Sequence, residues 1–275
     1  MIIPEIPSTI INKIFLDQYK QVSGVFLIDK PVGLGSHDIV IQARKALRTK
    51  RVGHAGALDP FATGMLIILV GKFTKYSEAL TNLDKSYKAG VLLGKKTTTQ
   101  DPEGEALAEQ AVKVEDLPSL KEIETKLQKK FMPGYLQYVP LFSSVKLDGE
   151  KLRVLARKAK SVKFVKPGLV ELELPTKNGE FENFKLELPA KNVDLKVLDT
   201  LEIKQTEDKA VLTIEVSCSK GTYIRQLAED IGIELNIPAS LISLRRTRIG
   251  EFLDNNLISV ADLKTLASEK GITSL

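Results

Sequence analysis

The stretch Gly53-His54-Ala55-Gly56-Ala57-Leu58-Asp59-Pro60-Phe61-Ala62-Thr63-Gly64 sets one carboxylate among three glycines. Glycine reaches backbone conformations closed to other residues and lets a second molecule come close. Asp59 on such a loop would be rigidly held yet accessible, as a catalytic carboxylate must be. An Asp-Pro pair also suits the N-cap and first position of a helix, and the two readings are compatible. A phosphate-binding loop is excluded, because no Lys-Ser or Lys-Thr follows the last glycine, and Gly33 to Ser36 lacks the full dinucleotide fingerprint. A carboxylate pair of the glycosidase kind has no sequence signature and stays open. Cys218 is the single cysteine, and His37 and His54 are the only histidines. No intrachain disulfide can form, and no zinc site of several nitrogen and sulfur ligands can be assembled. Chemistry must rest on carboxylates, Lys, Arg, Tyr or hydroxyls, with no cofactor and no metal.

These residues need elements to position them. Gly24 to Asp29 reads as a short buried strand, stopped by Lys30-Pro31 and a glycine-rich loop. Ser36 can cap a helix whose Ile39, Val40, Ala43, Ala46 and Leu47 follow helical spacing. After the Asp59 loop, Met65 to Val70 is a second buried strand, and Thr74 to Leu80 a short helix. Tyr87 to Leu93 is a third strand, turned back around Asp101-Pro102-Glu103-Gly104. Val114 to Phe131 has the pattern of an exposed helix. The second half is mostly strands: Phe142 to Leu147 with an Asp148-Gly149 turn, Val162 to Leu174, Phe181 to Leu188, Leu195 to Lys204 and Ala210 to Cys218. One helix, Thr222 to Ile231, interrupts them, and Leu253 onward is a helical tail. Strands do not alternate regularly with helices, so an α+β fold with a mixed, largely antiparallel sheet is expected.

The chain has 275 residues, 43% hydrophobic and 27% charged, which suits one or two folded domains. Its longest apolar run, Met65 to Val70, is far short of the roughly 20 residues of a membrane span. Glu5 precedes the first Lys and no Arg precedes Arg44, which fits neither a secretory signal nor an Arg-rich transit peptide. A cytoplasmic location and no membrane partner are expected. The formal charge is +5. Basic residues bunch at Arg44, Lys45, Arg48, Lys50 and Arg51, from Lys151 to Lys163, and at Arg245, Arg246 and Arg248. A phosphate backbone wants repeated unpaired cations, so nucleic acid is the leading partner.

Read together, GVFLIDKPVGLGSHDIV and RVGHAGALDPFATGMLIILVGKFTK resemble the signature of the TruB family of tRNA pseudouridine-55 synthases. KSYKAGVLLGKKTTTQDPEGE, VPLFSSVKLDGEKLRVLAR, SCSKGTYIRQLAEDIG and SLRRTRIGEF are similar to its later motifs and follow in the family's order, from Gly24 to Phe252. The resemblance implies a pseudouridine-synthase fold with helices flanking the sheet and a central RNA-binding cleft. It implies a reaction in which a uracil leaves C1′ and rejoins through C5. Asp59 would be the catalytic aspartate, Arg225 its charge partner, and Tyr87 the tyrosine that stacks on the target base. Tyr223 and Leu244 would line the base pocket, and His54 would help hold flipped nucleotides. Lys30, Arg48, Arg51 and Arg245 complete the expected substrate contacts. The expected partner is the T-stem and T-loop of tRNA, bound by a monomer.

The expected organisation is a leader at 1–23, a catalytic domain at 24–252 and a short helical tail at 253–275, with no PUA domain. The chain departs from the family pattern at Arg153, where a Tyr is usual, and at Ala55 and Ala57, where Thr or Ser is common. Two other functions compete: a guide-RNA-dependent synthase, and an RNA-binding or RNA-folding protein of the same fold that no longer catalyses. Asp59, Tyr87 and Arg225 together argue against the last.

Overall fold

The computed structural model describes residues 6–176 and 178–272, so the ends of the expected leader and tail, 1–5 and 273–275, lie outside it. The chain forms two compact units. One comprises Met1–Ala89, Glu215–Lys220 and Ser243–Leu275, the other Gly90–Ile214 and Gly221–Ile242.

The first unit begins with β1 (Lys13–Leu16) and β2 (Val22–Lys30), followed by α1 (Ser36–Leu47), β3 (Val52–Ala55), β4 (Thr63–Val70), α2 (Ser77–Thr81) and β5 (Lys85–Leu93). Antiparallel β2 and β4 pair from Gly24↔Val70 to Lys30↔Gly64. Both are buried along nearly their whole length, which is why GVFLI and MLIILV read as unbroken apolar runs rather than alternating ones. Phe26, Ile28, Leu66 and Ile68 face the Ile39, Val40, Ala43 and Leu47 stripe of α1. Val25, Leu27, Met65, Ile67 and Leu69 belong to a separate core with Leu80. β3 pairs with β4, so part of the glycine-rich segment expected as loop is strand. Ser36 opens α1 without capping it; Gly35 holds the N-cap position.

The second unit contains β6 (Lys95–Thr97) and β7 (Ala106–Glu109), a hairpin closed across the expected Asp101–Gly104 turn. Then come α3 (Leu120–Phe131), β8 (Gly134–Tyr138), β9 (Lys146–Leu147), β10 (Glu150–Lys151), α4 (Leu152–Lys158), β11 (Ser161–Lys166), β12 (Leu169–Pro175), β13 (Phe181–Glu187), β14 (Ala190–Thr206), β15 (Lys209–Cys218) and α5 (Ile224–Leu235). α3 starts six residues later than the sequence suggests, after Pro118, under a Ser119/Glu122 capping box. Its Ile123, Leu127 and Phe131 are buried, so it is not an exposed helix. Val162 to Leu174 is two strands around Pro167-Gly168, where Gly168 has φ +76°. Of Phe142 to Leu147 only the last two residues are strand.

The chain ends with β16 (Ala239–Ile249), β17 (Phe252–Leu253) and α6 (Val260–Glu269). Within the first unit the sheet runs β1-β2-β4-β16-β5-β15 through the segments it owns, and within the second β16-β5-β15-β14-β8. Most of its pairs are antiparallel; β16 and β4 are parallel, with Arg245 opposite Thr63 and Arg246 opposite Gly64. The whole is the mixed α+β architecture expected. No helix among the described residues is long and apolar enough to cross a membrane.

Candidate active site

The Asp59 loop, between β3 and β4, is clamped from three sides. From α1, the Ser36 hydroxyl accepts from Leu58 N at 2.7 Å and donates to Leu58 O at 3.1 Å. From the end of β2, the Lys30 ammonium donates to Pro31 O (2.8 Å), Leu34 O (2.6 Å) and Pro60 O (3.1 Å). From β16, Arg246 donates to Met65 O (2.8 Å), Gly56 O (3.0 Å) and Ala57 O (3.3 Å). Gly56 takes φ +79°, which glycine adopts without steric cost. Asp59 itself opens a turn, with Ala62 N donating to Asp59 O at 3.1 Å, and no helix follows. The N-cap reading is thereby corrected, while a half-buried carboxylate on a braced loop stands.

Arg246 is the centre of this arrangement. It is 1% exposed, and its charge acts on three neighbours. Burial pushes the Tyr87 phenol above its usual pKa, against the charge and hydrogen bond of Arg246, and the nearby Asp59 carboxylate adds to the rise. Burial, then Arg246, then His37 pull the His54 imidazole below its usual value. Its Nδ1 has no hydrogen-bond partner among the described residues. The Lys85 ammonium, at Thr81 O and Leu83 O (2.5 Å each), is lowered to about 8 by burial and then by Arg246. Leu244 is buried two residues before Arg246 on β16, its carbonyl accepting from the Thr63 hydroxyl at 3.4 Å. Tyr87, His54 and Lys85 thus lie within the electrostatic reach of one buried guanidinium, and Asp59 within that of Tyr87. A carboxylate, a buried leucine and a phenol of raised pKa suit proton-transfer or nucleophilic chemistry.

In the second unit, Tyr223 holds the N-cap of α5, with its N–H donating to Gln137 Oε1 at 2.8 Å and its carbonyl accepting from Gln137 Nε2 at 3.1 Å. Lys191 Nζ lies 4.6 Å from the Tyr223 ring centre. Arg225 is buried; its guanidinium donates to Thr99 O (2.9 Å) and Phe142 O (3.2 Å) and approaches the Asp101 carboxylate at 3.6 Å. Asp101 also accepts from the Thr99 hydroxyl and from Glu103 N. Sequence reasoning saw Asp101 only as a turn residue and missed Lys85. It counted Arg246 as one more surface cation; in SLRRTRIGEF its neighbours are Arg245 and Thr247, so no local signal marks its burial.

The basic runs separate on inspection. Arg44, Lys45, Arg48, Lys50 and Arg51 are exposed and make no ion pair among the described residues. Arg48 ends α1 with φ +48°, and Arg51 donates to the Thr74 hydroxyl at 3.2 Å. In the middle run Lys158, Lys160 and Lys163 are paired with Glu150, Glu173 and Glu171. In the last run Arg246 is buried while Arg245 and Arg248 are half-buried and engaged: Arg245 is paired with Asp29 (3.0 Å) and Asp254 (3.4 Å), and Arg248 donates to the Ser86 hydroxyl at 2.9 Å. Lys30 is 0% exposed, its donors spent on carbonyls, so it braces the loop instead of touching substrate.

Comparison with known proteins identifies the family. Residues 44–172 match the model for the TruB family pseudouridylate synthase N-terminal domain. Residues 225–274, which include α6, match that for the tRNA pseudouridylate synthase B C-terminal domain. The chain is 37% identical over 245 residues to tRNA pseudouridine synthase B of Staphylococcus saprophyticus, covering 89% of this chain and 72% of that one. It is 37% identical over 249 residues to the protein of the same name from Bacillus velezensis, covering 90% and 72%. Among solved structures it is similar to a chain of a Cbf5-Nop10-Gar1 complex, with TM-score 0.61 and 26% identity over 90% of this chain and 56% of that one. An H/ACA RNP bound to a substrate RNA shares the fold, with TM-score 0.57 and 24% identity, covering 91% and 56%. By the matched domains, and by the identity it keeps over most of its own length and of those relatives, the chain belongs to the TruB family of pseudouridylate synthases.

Proposed function

We propose that this TruB-family isomerase converts uridine 55 in the T-loop of tRNA to pseudouridine, acting on a flipped-out base, as a monomer in the cytoplasm. Family membership carries the coarser statement, a tRNA uridine-to-pseudouridine isomerisation. In that reaction the N1–C1′ bond breaks, a C5–C1′ bond forms, and a proton leaves C5 while N1 gains one. No atom is added or lost, so a carboxylate and a shaped cleft suffice.

The single observation that supports the site assignment is the Asp59 loop, held by Ser36, Lys30 and Arg246 while its carboxylate stays half-exposed. Asp59 acts as nucleophile or base, Arg225 is its charge partner, and Tyr87 stacks on the uracil. Tyr223 and Leu244 line the base pocket and His54 steadies the displaced nucleotides. Each route needs the base out of its stack, at a few kcal/mol, least for a base already in a loop. Arg48 and Arg51, with the cations beside them, suit the stem phosphates.

The test is Asp59→Asn on a T-arm hairpin, with pseudouridine mapped by carbodiimide adduct and primer extension. Product should vanish while RNA affinity stays within a few-fold. Product persisting at a few per cent of normal would remove Asp59 from the chemistry.

A further inference from the structure

In the second unit β8 and β14 pair antiparallel, with Gln137 opposite Lys191. Residues directly opposite in such a pair send their side chains to the same face. Both side chains reach Tyr223, at the entrance to α5, and none of the roles assigned above uses either of them.

Gln137 takes the backbone. It is 0% exposed, and its amide is committed at both ends. Oε1 accepts from Tyr223 N at 2.8 Å, while Nε2 donates to Tyr223 O at 3.1 Å and to the Tyr135 hydroxyl at 2.7 Å. A neighbouring strand holds the N–H and C=O of one residue in the same way, so the amide fixes Tyr223 in its extended conformation, φ −95° and ψ 110°. The N–H groups that open a helix find no carbonyl within it, and that of Tyr223 finds Oε1 instead. Turning the amide over would face donor to donor and carbonyl to carbonyl, so its neighbours fix its orientation. The Tyr135 hydroxyl in turn donates to the Asp230 carboxylate of α5 at 2.8 Å, which ties the glutamine to the helix whose entrance it holds.

Lys191 takes the ring. Its ammonium lies over the Tyr223 ring, 4.6 Å from the centre, and makes no ion pair among the described residues. Burial pulls this amine below its usual pKa, and the negative face of an aromatic ring offsets part of what burial costs the charge. With the ammonium on one face, a base at Tyr223 meets the edge of the ring or its other face.

We propose, resting on the assignment of Tyr223 to the base pocket in the function above, that Gln137 and Lys191 are positioning residues for the isomerisation. One sets the backbone of Tyr223, the other the tilt of its ring, and together they preorganise that ring for the uracil. Arg225 stands two residues further along the same backbone, with its guanidinium on Thr99 O and Phe142 O, so the hold of the glutamine extends to it. A site that must keep its groups within about 0.5 Å depends on supports of this kind. Neither residue needs to touch the RNA.

The test uses the full chain and a T-arm hairpin, with kcat and KM measured separately. Lys191→Met keeps the stem and removes the charge; kcat should fall about tenfold, the worth of a cation on an aromatic face, with KM within about threefold. Gln137→Met should lower kcat by about a hundredfold, as a misplacement near 1 Å does, again with KM little changed. Lys191→Arg restores a cation over the ring and should recover most of the loss. The ring is also read without RNA: with 3-fluorotyrosine in the chain, the fluorine signal that Tyr223→Phe removes should move in Lys191→Met and return in Lys191→Arg. Thermal melts identify a variant that fails to fold; should Gln137→Met be one, Lys191→Met and the fluorine signal decide. A raised KM with unchanged kcat, or a salt slope lower by about one, would make Lys191 a phosphate contact and overturn its positioning role. So would an unmoved fluorine signal, or unchanged kcat in the folded variants. Absence of product from the unaltered chain refutes the function, and the fluorine signal then decides the hold on Tyr223 alone.

Discussion

Replacing Arg246 tests the claim that one buried cation organises the Asp59 loop. Arg246→Met keeps an apolar stem of similar length and removes donors to Met65 O, Gly56 O and Ala57 O. A buried acceptor left without its donor costs about 1–3 kcal/mol. Met65 is fully buried and takes the full penalty, whereas Gly56 is half-buried and Ala57 exposed, so water replaces part of what they lose. The sum is about 3–5 kcal/mol, which at an unfolding entropy of about 2.1 cal/mol/K per residue lowers Tm by roughly 5–9 °C. Two titrations should move as well. With the cation gone, the Tyr87 phenol should rise further, and the Lys85 amine should rise from about 8 toward its ordinary value. Urea denaturation and phenolate absorbance read the two effects. Arg246→Lys should recover little, because Met65 O, Ala57 O and Gly56 O are met by three separate nitrogens of the guanidinium and an ammonium offers its donors from one. A loss under about 1 kcal/mol with unmoved titrations would refute this account of the loop.

Three further outcomes follow from other contacts. Burial raises Asp230 to about 6, so the wild-type protein should lose stability as pH climbs from about 4 to 6, by roughly 3 kcal/mol. Asp230→Asn should flatten that part of a stability-against-pH curve. Gly64→Ala should destabilise by about 2 kcal/mol or more in thermal melts, because φ is +92° and the new Cβ would lie 2.4 Å from Arg246 O. Neutralising Lys45, Arg48 or Arg51 should each lower the slope of log affinity against log salt by about one, whereas neutralising Arg245, already paired with Asp29 and Asp254, should leave it nearly unchanged.

The strands β2 and β4 were legible because both faces are buried and nothing polar interrupts their runs. β16 was not, because Ala239–Ile249 carries three arginines and reads as surface, although Arg246 is internal and Arg245 paired. Its role depends on partners about 180 residues away, which no local window contains. The hairpin of β11 and β12 was read as one strand because Val162, Phe164, Val170 and Leu172 keep the same parity across a two-residue turn. α3 was drawn too long because Pro118 lies inside a segment whose charges continue the helical pattern on both sides. At the site, Asp59, Tyr87 and His54 were picked out by motif, and the Arg246 neighbourhood that sets the Tyr87 and His54 protonation was not. Lys30 was assigned to substrate because its charge was visible and its burial was not.

The parallel pairing of β4 with β16 has a consequence for how the protein is made. The carbonyls of Gly56 and Ala57 wait for a guanidinium encoded 190 and 189 positions later. At about 5–20 residues per second, a ribosome delivers Arg246 roughly 10–40 s after the Asp59 loop. During that interval β2 and β4 can pair, since only α1, β3 and their loops lie between them, but the Asp59 loop lacks one of its three clamps. A nascent chain therefore carries Asp59 long before its loop has all three clamps, and the synthesis of β16 decides when the loop is complete.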